Sequence, residues 1–345
     1  VLDRDPRGEP IVRGVFLALS PTEAALAAVV GAGFRVQREQ ALDGLDARVI
    51  TLLSPPGWSA RRGLARLRQL DPQGRYDFNH LYFESAAGGA GTPTPATAPE
   101  LPRPGARYRV GLIDSGVAAA HPAFKDVVIH PFGCEGAVHP SAHGTAVASL
   151  LVVAAPGADL FAADVYCGND AGGAGVGGLV DSVALALAWM AREGVPVVNI
   201  SLVGPVNVVF EGVVRALLAR GVVIVAAVGN DGPAARPLYP ASYDGVIGVT
   251  AVDARDKALI EAGRGPQVDL AAPGADILAA APDGTYVPVR GTSFAAPIVA
   301  GLLAHDQSLA TLCSSARDLG APGTDRTYGQ GLVGAELRST LAVNK

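Results

Sequence analysis

The chain has 345 residues, 49% of them hydrophobic and 17% charged, with a formal net charge of -5. That is enough for one large domain or two smaller ones with a sizeable core, and a negative balance without a basic block argues against nucleic acid as the main partner. No apolar run reaches the ~18–20 residues of a membrane-spanning helix, and Cys134, Cys167 and Cys313 make neither a disulfide scaffold nor a metal-ligand spacing.

In chain order, Val12 to Ser20 reads as a strand, and Pro21-Thr22-Glu23 opens a helix running to about Val30. Strands follow at Phe34 to Gln40 and Ala47 to Leu53, joined through Asp43-Gly44. Ser59 to Leu70 reads as a helix and Tyr76 to Phe83 as a last strand. Strand, helix, strand, strand, helix, strand is the split βαβ, ferredoxin-like order. Its one histidine, His80, is expected to be a surface or structural residue. A stretch of Gly, Pro and small residues from Ala86 to Pro99 has no hydrophobic periodicity and reads as a linker. The organisation is therefore an α+β block over residues 1–85, a linker over 86–105 and a second block over 106–345. The chain begins at Val1 without a charged-then-apolar leader, which fits a removed signal peptide or a trimmed chain.

The second block alternates strands and helices. Strands are expected at Tyr108 to Ile113, Asp126 to Pro131, Asp159 to Tyr166, Val195 to Ser201, Val222 to Val228 and Val246 to Val252. Helices are expected at His143 to Val153, Leu179 to Glu193, Val208 to Arg220 and from Phe294 onward. Such alternation gives a parallel sheet covered by helices on both faces. Ligands then bind at the carboxyl ends of the strands, so polar residues there carry the most weight.

Four stand out. Asp114 ends the apolar run Val110-Gly111-Leu112-Ile113; a solvated turn aspartate is the alternative. His143 opens a helical run in His143-Gly144-Thr145, whereas His121, His130, His139 and His305 lie in poorer settings. Asn230 ends Val222 to Gly229; its amide can donate to an oxyanion, or it is an ordinary turn asparagine before Asp-Gly. Ser293, in Gly291-Thr292-Ser293-Phe294-Ala295-Ala296-Pro297, sits at the first turn of a buried helix. Unpaired N–H groups and a positive macrodipole there would stabilise an anion; a helix-capping serine without chemistry is the alternative.

Together these motifs resemble the subtilases, the subtilisin-like serine proteases of family S8, over about residues 106–340. The resemblance is carried by Asp114-Ser115-Gly116, His143-Gly144-Thr145, Asn199-Ile200-Ser201-Leu202, Gly229-Asn230 and Gly291-Thr292-Ser293, with Asp, His and Ser in the subtilisin order. It implies a three-layer α/β fold with a mainly parallel sheet. It further implies a serine endopeptidase without a cofactor, secreted or periplasmic, acting on protein or peptide substrates. Asp114 would orient His143, His143 would take the proton of Ser293, and Asn230 would hold the oxyanion. Activity is then expected to fall as His143 protonates below about pH 6–7. A catalytically silent binding protein of the same fold is the alternative.

In the family an extended peptide adds as a strand between two segments. The matching segments here are Val176-Gly177-Gly178 and Ser201-Leu202-Val203. Val203 stands where glycine is common, and Leu238 where a small residue often floors the primary pocket beside Gly229, so a shallow pocket for small or medium apolar residues is expected. Gly173-Ala174-Gly175-Val176-Gly177-Gly178 also matches a dinucleotide fingerprint, but no acid ends the next strand, Val197 to Ile200. The resemblance casts the N-terminal block as a propeptide, a folding chaperone and intramolecular inhibitor whose last strand ends in the active site, with processing between about Tyr82 and Ala106; a permanently attached domain is the alternative. It also places Cys134 and Cys167 after neighbouring strands, where a disulfide is plausible, and it lacks the usual polar calcium loop after Val152-Val153, so no metal is expected.

Overall fold

The structure, a computed structural model, describes residues 2–84, 108–133, 136–166, 177–305 and 308–341. The linker over 86–105, the Cys134–Cys167 pair and Val176 lie outside the described residues.

The N-terminal block contains β1 (Leu2–Arg4), β2 (Pro10–Leu19), α1 (Glu23–Gly31), β3 (Arg35–Leu42), β4 (Ala47–Leu53), α2 (Ala60–Leu70) and β5 (Arg75–Glu84). Thr22 and Ser59 cap the two helices, each side chain accepting from an N–H three residues on. The strands pair antiparallel in the order β5-β2-β4-β3, with β1 added along β2. The two-residue period of β2 divides its side chains between two cores. Phe16 and Ala18 pack with Val29, Phe34, Leu64 and Leu67 of the block's own core. Leu17 and Leu19 face the other way, into a core shared with the second block.

The second block contains β6 (Arg109–Asp114), β7 (Ile129–Phe132), α3 (Ala142–Ala154), β8 (Asp159–Asp164), β9 (Gly178–Leu179) and α4 (Val180–Arg192). It continues with β10 (Val197–Ile200), β11 (Leu202–Val203), α5 (Val208–Leu218), β12 (Val223–Ala227), β13 (Ile247–Val252) and β14 (Leu270–Pro273). β15 (Ala275–Ala280), β16 (Tyr286–Arg290), α6 (Thr292–Ala304) and α7 (Leu309–Ser315) complete it. Seven strands form a parallel sheet in the order β14-β13-β12-β10-β6-β8-β7. Alternation again sorts the side chains: Val110, Leu112 and Val225 meet the α3 and α6 side, while Ile113, Ile224 and Ala226 meet the α4 and α5 side. Both faces are covered, so the strands read as continuous apolar runs. α3 and α6 are apolar around their whole circumference and are buried from His143 to Ala154 and from Thr292 to Leu303.

The N-terminal sheet lies on α4 and α5. Leu17, Leu19, Leu42 and Val49 join Val183, Leu187, Val209 and Val213 in one core, and each such fully buried side chain is worth about 1.5–3 kcal/mol. A buried polar cluster fixes the orientation of that contact. Asn207 caps α5 through its Oδ1, which accepts from Val209 and Phe210 N–H, both at 3.0 Å. Its Nδ2 donates to the Phe78 carbonyl at 2.9 Å and to His80 Nδ1 at 2.9 Å. Asp77 accepts the next orphan donor of that helix, Val208 N–H, at 2.9 Å. His80 is thus an interface residue, 1% exposed, and not a surface one.

Candidate active site

β6 delivers Asp114 to the carboxyl edge of the sheet, beside the start of α3. Ser141 caps α3, so His143 is its second residue. The approach of helix to strand end is close: a Cβ on Gly144 would lie 2.1 Å from the Ser115 carbonyl oxygen, which only glycine tolerates. In that position His143 Nδ1 donates to Asp114 Oδ1 at 2.8 Å. The same oxygen accepts from the Ser115 N–H at 2.7 Å and lies 3.0 Å from the Ser115 hydroxyl. Asp114 is fully buried and His143 is 6% exposed, so the carboxylate is paired and its orientation fixed.

Ser293 is the second residue of α6, whose cap is Gly291 at φ 145°. It therefore does not cap the helix; its Oγ, like His143 Nε2, is buried without a hydrogen-bond partner. A buried polar atom left unpaired costs about 1–3 kcal/mol, a cost that reactive sites sustain more readily than plain cores. The Phe294 ring, next in sequence to Ser293, lies 5.4 Å from the imidazole. Pro297 removes the N–H that would close the helical bond to the Ser293 carbonyl. The Ser201 hydroxyl donates to that carbonyl instead, at 3.0 Å, and itself accepts from Asn199 Nδ2 at 2.9 Å. β10 and α6 are thereby tied together. Asn230, after β12, accepts from the Thr292 N–H at 3.1 Å, which sets its amide at the N-terminal end of α6.

Two short edge strands, β9 and β11, flank this end of the sheet, and β5 lies between them. Leu81 and Tyr82 pair with Leu179 and Gly178; Phe83 and Glu84 pair with Val203 and Leu202, all antiparallel. A Cβ on Gly177 would lie 2.0 Å from the Tyr82 carbonyl oxygen, so the backbones touch there. Leu238 reaches over Gly229, where an added Cβ would meet its Cδ1 at 2.4 Å. Of the sequence-derived substrate residues, Gly177, Gly178, Leu202 and Val203 thus line the cleft around β5, Ser201 lies against Ser293, and Gly229 and Leu238 lie together beside Asn230. Sequence reasoning missed Glu84. Its carboxylate lies 3.1 Å from the Ser115 hydroxyl, and with Asp114 and His143 it forms the only group of potential metal ligands among the described residues, their atoms within 4.8 Å of one another. Asp114 Oδ1 and His143 Nδ1 already satisfy each other there. Burial opposes the His143 cation, but Asp114 and then Glu84 outweigh it, raising the imidazole above its ordinary value.

The comparisons with known proteins bear on the family and the fold. A family model described as the Subtilase family matches residues 105–331. Subtilisin DY of Bacillus licheniformis is 32% identical over 257 residues, covering 67% of this chain and 90% of its own. Subtilisin Savinase of Lederbergia lenta shows the same identity and coverage. Among solved structures, fervidolysin from Fervidobacterium pennivorans, a keratinolytic enzyme related to subtilisin, superposes with a TM-score of 0.77 at 20% identity, over 96% of this chain and 61% of that one. The prenylagaramide maturation protease PagA matches with a TM-score of 0.57 at 25% identity, over 66% of this chain and 91% of its own.

Proposed function

The chain belongs to the subtilase family of serine endopeptidases, and on that premise we propose that it cuts peptide bonds with Ser293 as nucleophile, His143 as general base and Asp114 as the group that orients His143. The observation that carries this reading is a pair of buried, unpartnered atoms, Ser293 Oγ and His143 Nε2, on a histidine whose other nitrogen is held by Asp114. His143 takes the Ser293 proton as Oγ attacks the carbonyl, then gives it to the leaving amine; water repeats the sequence on the acyl-enzyme. Asp114 keeps the proton on Nδ1, so that Nε2 is the basic nitrogen, and stabilises the cation that forms. The oxyanion develops at the positive N-terminal end of α6, with the Ser293 backbone N–H and the Asn230 amide as its donors. Asn230→Ala is expected to lower kcat by about 10²–10³ with little change in KM; steady-state kinetics on a peptide substrate check this, and an unchanged kcat would remove Asn230 from the oxyanion site.

We further propose that residues 1–85 form a ferredoxin-like inhibitory domain and that 86–105 connects it to a catalytic domain over 106–345. Support comes from the strand order of the block and from β5, which occupies the cleft as a peptide substrate would. Its direction, Phe83 opposite Val203 and Glu84 opposite Leu202, runs toward Ser201 and Ser293, so the bond to be processed lies just beyond Glu84. A parallel sheet assembles from non-local contacts and folds slowly; a preformed sheet seated on α4 and α5 gives it a template. The chain's kinship with the subtilisins supports an extracellular enzyme; among the described residues no helix is long and apolar enough to cross a membrane.

The raised His143 sets the pH behaviour. The base must be neutral, so self-processing of the intact chain falls as pH drops through a value above the ordinary imidazole range of about 6.5. Glu84→Gln removes one of the charges that favour the cation, so the profile of that variant moves to lower pH. The first-order rate of self-cleavage, followed on gels across pH, checks this; superimposable profiles would exclude the Glu84 contribution.

A further inference from the structure

Tyr82 is held in a way that its role as one residue of an inhibitory strand does not require. Its neighbour Phe83 points outward and is 38% exposed, whereas Tyr82 is 1% exposed. The ring stands edge-on to Phe210, with centroids 5.2 Å apart, and lies flat enough on Gly204 that an added Cβ there would come within 2.8 Å of it. Leu202 and Val209 belong to the same apolar cluster. At the closed end of this pocket the phenol finds a polar group: the Tyr82 hydroxyl donates to the Pro205 backbone carbonyl. Burial, with the Tyr243 phenol nearby, pushes the Tyr82 phenol well up, so it stays a donor throughout the working pH range. The wall of the pocket is held by hydrogen bonds. Tyr243 donates to the Asn207 carbonyl at 2.9 Å and accepts from the Asn207 N–H at 3.0 Å, locking the wall behind Phe210.

A pocket of this kind does more than admit bulk. An apolar hole would accept phenylalanine as readily as tyrosine, but a fixed carbonyl at its end favours the residue that brings a hydroxyl, because the residue without one leaves that carbonyl without its donor. We propose that this cleft selects its substrates by a tyrosine seated where Tyr82 lies, read through its hydroxyl by the Pro205 carbonyl, two residues before the glutamate position that adjoins Asp114 and His143. The substrate class is thus proteins or peptides presenting an extended segment with tyrosine at that place, and the chain's own β5 is its first example. The proposal rests on the endopeptidase reading of the same cleft.

The test is an internal competition. The purified full chain receives, in one tube, a peptide with the sequence of residues 81–88 and the same peptide with the Tyr82→Phe change, and the loss of each is followed by mass spectrometry. Both compete for the same free enzyme, so the ratio of their kcat/KM values is independent of how much of the chain has released its own strand. A preference for tyrosine of about tenfold is expected from one well-placed hydrogen bond, and casein serves as a general substrate alongside. A ratio below about threefold would overturn the proposal, as would hydrolysis of casein with neither peptide cut. Failure to cut casein as well would instead remove the endopeptidase reading, and this proposal with it.

Discussion

Ser293→Ala is expected to abolish peptide hydrolysis, lowering kcat by about 10⁶-fold, while the chain keeps its fold. The second half of that expectation is as specific as the first. Ser293 Oγ makes no hydrogen bond, so its loss orphans no partner, and the structural work at this residue is done by its backbone carbonyl, which still accepts from Ser201. A small buried hydroxyl replaced by hydrogen leaves a negligible cavity on a helix that favours alanine. The variant should therefore match the parent in circular dichroism and thermal midpoint, and it should accumulate uncut at the junction beyond Glu84. Peptidase assay and melting curve on the same preparation check both halves. A variant that loses activity together with its fold would point to a structural serine.

Asp114→Asn should cost about 10⁴-fold in kcat through a different mechanism. Asp114 Oδ1 accepts from His143 Nδ1 and from Ser115 N–H. An asparagine oxygen in that position still accepts from both donors, but it lacks the charge that stabilises the imidazolium, and the amide can also flip. Facing the imidazole with NH₂ puts the proton on Nε2, where it can no longer accept from Ser293. The carboxylate also supplies the largest contribution raising His143, so the residual activity should extend to lower pH than that of the parent. A pH–rate profile of the variant checks this sign; a loss of less than about tenfold would leave Asp114 with no orienting role.

Much of this was legible in sequence because it depends on element ends. Asp114 after an apolar run, His143 and Ser293 at the starts of apolar helices, and Asn230 after β12 all follow from a parallel sheet that gathers its strand ends on one edge. What was not legible depends on partners distant in sequence. β9 and β11 have two residues each, too short for any periodicity, and exist as strands because β5 lies between them. β14 and β15, on either side of Gly274, are built largely of alanine, and Pro288 interrupts β16; alanine and proline have weak strand preference, and these segments are strands by virtue of their neighbours. The Ser293 carbonyl, left without its helical donor by Pro297, takes instead a hydroxyl 92 residues away, that of Ser201. Glu84 carried no signal either: a single acid at the end of a strand acquires meaning only when that strand reaches Asp114 and His143. For the same reason the sequence left His80 between a surface and a structural role: the partner that makes it structural, Asn207, belongs to the other block.

The central claim is that one serine among many is chemically activated, and a fluorophosphonate probe reads that property directly. Peptide mapping of the labelled full chain should place the adduct on Ser293, with labelling lost in the His143→Ala variant and slowed while β5 occupies the cleft. Hydrolysis of casein by a chain whose Ser293 stays unlabelled, or an adduct on another serine, would contradict the account.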